Sequence, residues 1–91
     1  VLRYKPQWSV MEDEPLPTLY NVCQFFMDGS YEYVCRFVPV EEAAKAFGHY
    51  TRSVGARIGS TVRVIITGSD DCIYAEWKFG EGYTWPKESV N

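Results

Sequence analysis

Ninety-one residues carry 9 Lys and Arg against 12 Asp and Glu, a net charge of −3, which excludes a broad basic surface for nucleic-acid phosphates or an acidic membrane. A composition 46% hydrophobic and 16% aromatic excludes a disordered chain, and a single small domain of this length removes about 60–65% of its unfolded surface from water. No apolar run reaches the ~20 residues of a membrane span and no export signal is visible, so a soluble cytoplasmic protein is expected. Cys23, Cys35 and Cys72 are an odd set, with no Cys-x-x-C and no His at metal spacing; reduced thiols are expected, with no disulfide framework, metal or cofactor.

Residues 1–18 hold three prolines and an acidic cluster without a sustained period, which predicts an irregular N-terminal arm. Met11 is a candidate natural start, although Tyr4 and Trp8 have more use against a surface than in water. Residues 19–86 are expected to form one domain, followed by a C-terminal tail at 87–91.

Two runs rich in aromatic and β-branched residues, 19–27 and 30–38, flank Asp28-Gly29. Such a pair between such runs predicts a hairpin with a two-residue turn. Counting outward pairs Phe26 with Tyr31, Gln24 with Tyr33, Val22 with Cys35 and Tyr20 with Phe37 on one face. Leu19, Cys23, Phe25, Met27, Val34 and Val38 then fall on the other, and Cys23 and Cys35 point apart.

Pro39 suits a first helical turn, and Glu41 and Glu42 favour the N-terminal end of the helix dipole. Val40, Ala43, Ala44, Phe47, Tyr50, Val54 and Ile58 recur at spacings of three and four, predicting one helix that ends at Gly55 or Gly59. Residues 61–67 and 72–79 predict a second hairpin around residues 68–71. In that register Ile66 faces Ile73, Val64 faces Ala75, Val62 faces Trp77 and Arg63 faces Glu76, with Ile65 beside Tyr74.

The order ββαββ predicts an α+β fold, a four-stranded mixed sheet with one helix packed on one face. The strand order 2-1-4-3 is expected, because a first strand apolar on both faces belongs in the centre; 1-2-3-4 is the alternative. The first order resembles a β-grasp arrangement in topology alone, and that transfers no function.

One helix covers one side of the sheet. Leu19, Cys23, Phe25, Met27, Val34, Ile65 and Tyr74 remain on the other as an apolar patch rimmed by charge, the usual mark of an interaction surface. Burying ~400 Å² of it at ~25 cal/mol per Å² supplies ~10 kcal/mol of gross driving force before the cost of association. The expected function is that of a non-enzymatic interaction module, a homodimer joined through a sheet face or strand edge, with another protein partner as an alternative. Trp8, Met11, Leu16, Tyr83 and Trp85 could instead cover the face from within. A second functional reading is a small-molecule binder with an aromatic pocket between helix and sheet, lined by Tyr31, Tyr33, Tyr50 and Trp77.

The chemistry-bearing residues point away from catalysis. His49 is the only histidine and turns away from the helical stripe, so no nucleophile–base pair forms around it. Glu32 and Glu76 share the outer face with Arg36 and Arg63, which predicts ion pairs rather than an acid–base couple. Asp70 and Asp71 suit a polar turn, and the glycines at 80 and 82 lack the context of a phosphate loop. No nucleic-acid or membrane partner is expected.

Overall fold

The computed structural model describes residues 2–5 and 17–86. The elements follow as β1 (Arg3–Tyr4), β2 (Tyr20–Phe26), β3 (Tyr31–Val38), α1 (Val40–Thr51), α2 (Val54–Ile58), β4 (Thr61–Gly68), β5 (Cys72–Lys78) and β6 (Gly82–Trp85). The strands make one mixed sheet in the order β1-β5-β4-β2-β3, and β6 also pairs with β5. The α+β class holds, with six strands in place of the four expected.

Both expected strand orders are corrected. β2 lies between β3 and β4 and is antiparallel to each. Since β3 and β4 both oppose β2, they run parallel to one another, as a helical crossover between them requires. The first long strand therefore fills the gap beneath the crossover, a central place that hides both of its apolar faces.

On the far edge of β5, β1 pairs in parallel through Arg3 with Cys72 and Tyr4 with Ile73, and β6 pairs antiparallel from Glu76 with Trp85 to Lys78 with Gly82. Two residues of the expected irregular arm thus join the sheet. The remaining arm at 6–16, including the expected cover from Trp8, Met11 and Leu16, and the tail at 87–91 lie outside the described residues.

Asp28-Gly29 marks a hairpin, but its loop has three residues rather than two. The Phe26 N–H donates to the Ser30 carbonyl at 2.8 Å and the Gly29 N–H to the Phe26 carbonyl at 3.0 Å. Gly29, at φ 91°, supplies the left-handed residue that closes such a loop. Asp28 Oδ1 accepts from the Ser30 N–H and hydroxyl at 2.9 and 2.6 Å. The extra residue slips the count by one, so Tyr31 pairs with Phe25 and Tyr33 with Cys23. Two later shifts, at Val34 and at Arg36-Phe37, restore Val22 with Cys35 and then set Tyr20 against Val38.

In the second hairpin a bulge at Tyr74 separates the Thr67–Ile73 and Ile66–Ala75 pairs. It carries Ile73 to the outer face and Tyr74 to the helix side, the reverse of the expected placement. Below it the register is displaced by two residues, an even number, so Val64, Ile66 and Trp77 keep the side expected of them.

The helix breaks once. Pro39 is the extended N-cap of α1 and Glu41 and Glu42 fill its first turn; the Ser53 hydroxyl then caps α2 by accepting the Ala56 N–H at 3.2 Å. Gly59 ends α2 at φ 91°, and a Cβ there would lie 3.2 Å from the Phe79 ring. Ala43, Phe47 and Tyr50 pack on Tyr20, Val22, Val64 and Ile66, whereas Val40, Val54 and Ile58 of the expected stripe are exposed.

A second, smaller core lies across the sheet. Cys23, Ile65 and Ile73 are 3%, 1% and 2% exposed there, packed by Phe25 and Trp85. Tyr83 does not join it: its ring lies 5.9 Å from Phe47 and its hydroxyl 3.2 Å from Thr51 Oγ1, on the helix side.

Candidate interaction surface

The outer face divides in two. Its β4–β5 half is closed by the second core. From Arg63 of β4 across β2 and β3 the face carries an unbroken run of rings and guanidinium groups. Arg63 Cζ lies 4.9 Å from the Phe25 ring centre, Phe25 lies 5.8 Å from Tyr31, and Tyr31 meets Tyr33 edge to face at 6.0 Å. Arg36 Cζ then lies 4.4 Å from Tyr33 and 5.2 Å from Phe37.

These are distances at which a guanidinium is attracted to a ring face and aromatic pairs attract each other. Tyr31, Tyr33 and Phe37 are nevertheless 61%, 42% and 58% exposed. Arg63 also donates from Nε to Glu76 at 2.6 Å. Arg36 has no carboxylate partner among the described residues, so its cation is held only by rings.

The residues expected to form one apolar patch are dispersed. Cys23, Ile65 and Phe25 share the outer face, but Cys23 and Ile65 are already buried. Val34 and Tyr74 pack with the helix-side core, while Leu19 and Met27 are exposed at opposite ends of the first hairpin. The alternative pocket is not assembled either. Tyr50 and Trp77 lie in the helix-side core, but the slipped register puts Tyr31 and Tyr33 across the sheet from them. Arg36 lies on the outer face as expected, but against rings and not in the expected ion pair; Phe37 was expected on the helix side, and a bulge that holds it at φ 57° interrupts the alternation behind that expectation.

Glu76 is the one fully buried carboxylate among the described residues. Tyr4, Thr84 and Arg63 all donate to it. Burial alone would raise its pKa, but these hydrogen bonds outweigh burial and hold the carboxyl below its ordinary value. A fully bonded carboxylate is a structural anchor and a poor proton carrier. Glu32 is not beside it, because its Oε1 accepts from Gln24 Nε2 at 3.1 Å on the helix side.

Two shallow grooves adjoin these elements. One, of about 470 Å³, lies between β3 and α1 and is lined by Cys35, Glu42, Lys45, Ala46, His49 and Tyr50. The other, of about 330 Å³, lies over Glu76 and is bounded by Tyr4 and Trp85. Among the described residues no three His, Cys, Asp or Glu side chains gather as metal ligands, and no helix is long and apolar enough to cross a membrane. The three cysteines are free, Cys23 on the outer face and Cys35 on the helix side. Burial raises the Cys23 thiol pKa. Asp70 completes a polar turn: it accepts from the Cys72 N–H and the Tyr74 hydroxyl and faces the Lys5 ammonium at 3.8 Å.

No protein-family model, no curated protein and no solved structure matches this chain.

Proposed function

We propose that this chain is a non-enzymatic interaction module that associates with a second copy of itself along β3, where the exposed rings of its outer sheet face reach the sheet edge. The observation that carries the reading is the exposed run from Arg63 through Phe25, Tyr31, Tyr33 and Arg36 to Phe37. Tyr and Arg dominate binding hot spots because they place large, stiff contact area and directed polarity together. Phe25 packs on the second core, but Tyr31, Tyr33 and Phe37 stay exposed and belong to neither core among the described residues.

A second copy suits this surface because the run holds both cations and ring faces. A guanidinium of one copy can meet a ring of the other, which is the self-complementarity a twofold contact requires. Sedimentation velocity across a dilution series tests the reading. A reversible dimer is expected at micromolar concentration, weakened at least tenfold by Arg36→Ala and by Tyr33→Ser, both exposed enough to leave the monomer's unfolding midpoint in place. A strict monomer at the highest attainable concentration would overturn it.

A further inference from the structure

We infer that two copies join edge to edge and antiparallel through residues 31–33 of β3, so that one sheet continues into the other; this rests on the self-association proposed above and specifies its geometry. The two edges of the sheet are treated differently by the fold. The far edge of β5 is occupied by β1 and β6, whereas β3 has no neighbour on its outer side among the described residues.

The backbone there is poised to pair. Antiparallel ladders alternate inward and outward groups, and Phe26 bonds Ser30 across the hairpin while Gln24 stands opposite Glu32. The Ser30 carbonyl and the Glu32 backbone groups therefore turn toward β2. Tyr31 and Tyr33 turn theirs outward, beneath the exposed rings. The shifts at Val34 and Arg36-Phe37 spoil the later half of the edge, which keeps the contact short and prevents open-ended stacking.

Outward-facing residues can pair only with their like. Setting Tyr31 against the partner's Tyr33 places the twofold axis at Glu32. From that axis β3 runs toward Arg36 in one direction and toward the exposed Asp28 of the hairpin tip in the other. Each copy's Arg36 cation, which has no carboxylate partner among the described residues, is thereby brought to the side of the other's hairpin tip. One repulsive pair also results, since Glu32 faces its symmetry mate, and like charges directly opposite weaken a strand pair.

Hydrogen exchange resolved at single amides tests this. The Tyr31 and Tyr33 amides are expected to exchange at least tenfold more slowly at concentrations where the dimer forms than in the dilute monomer. A dimer in which both amides keep the dilute rate overturns the edge geometry while leaving self-association intact; absence of a dimer overturns both. As a second arm, Tyr33→Pro and Tyr33→Ala remove the same ring, but only the proline removes the outward N–H, where an edge strand tolerates it. Tyr33→Pro is expected to weaken the dimer at least fivefold beyond Tyr33→Ala, and equal effects count against the edge. Glu32→Gln is expected to tighten the dimer several-fold, and an unchanged affinity rejects the register.

Discussion

The Tyr4 hydroxyl donates to both carboxylate oxygens of Glu76, at 2.8 and 2.9 Å, across 72 positions of sequence. Thr84 donates at 2.7 Å and Arg63 at 2.6 Å to the same group, so one side chain of β5 is tied to β1, β4 and β6 together. Tyr4→Phe removes a hydrogen bond to a charged acceptor and is expected to cost about 1–2 kcal/mol. Urea unfolding measures it, and an unchanged midpoint would show that the contact does nothing for the fold.

The same carboxylate sets an acid limit. Its folded pKa lies below the unfolded value, so its contribution is fully present above the unfolded carboxyl pKa of ~4.3 and is lost as pH falls through the folded value. Glu76→Gln is expected to lower stability by about 2 kcal/mol at neutral pH. The difference from the wild type should shrink toward acid. Unfolding at neutral pH and at pH ~3 checks the sign; a gap that widens in acid would contradict it.

Ile65 and Ile58 separate burial from hydrophobicity. Ile65 is 1% exposed in the outer core and Ile58 is 72% exposed on α2. Ile65→Ala is expected to cost about 3 kcal/mol through lost transfer energy and a residual cavity, and Ile58→Ala within ~0.5 kcal/mol of nothing. Paired thermal and urea denaturation of the two variants decides whether the far side of the sheet is a true core.

Gly59 combines a left-handed backbone with the Phe79 ring 3.2 Å from where a Cβ would lie. Gly59→Ala is expected to destabilise by at least about 1 kcal/mol. In the background Phe79→Ala, which removes the ring but leaves the dihedral strain, the glycine substitution should cost less. The difference between the two measurements isolates the steric part.

What the residues reveal without coordinates depends on whether a local rule decides the outcome. Pro39 with Glu41 and Glu42 located the helix start, and alternation located the four long strands, because propensity and pattern are local. The placement of Val22, Val64, Ile66 and Trp77 followed from that alternation. Tyr31 and Tyr33 went to the wrong face because Asp-Gly fits two- and three-residue loops alike, and a one-residue slip inverts every side chain after it. Ile73 and Tyr74 exchanged sides for the same reason at a bulge. β1 was not visible at all, since two residues carry no period and the strand exists only through its pairing with β5. The exposed run of rings and arginines depends on the slip and the bulges together, so its members were present in the sequence but their neighbourhood was not.

The shared edge built by β1 and β6 also orders events during synthesis. The two hairpins connect near neighbours and can close as soon as they emerge, whereas β1 must wait for β5, some seventy residues later, and Glu76 gains its last donor only when Thr84 arrives. A ribosome stalled after residue 80 should therefore hold a nascent chain whose β1 residues stay open to protease. Synthesis well past residue 86 should protect them, making β1 the last strand to become native.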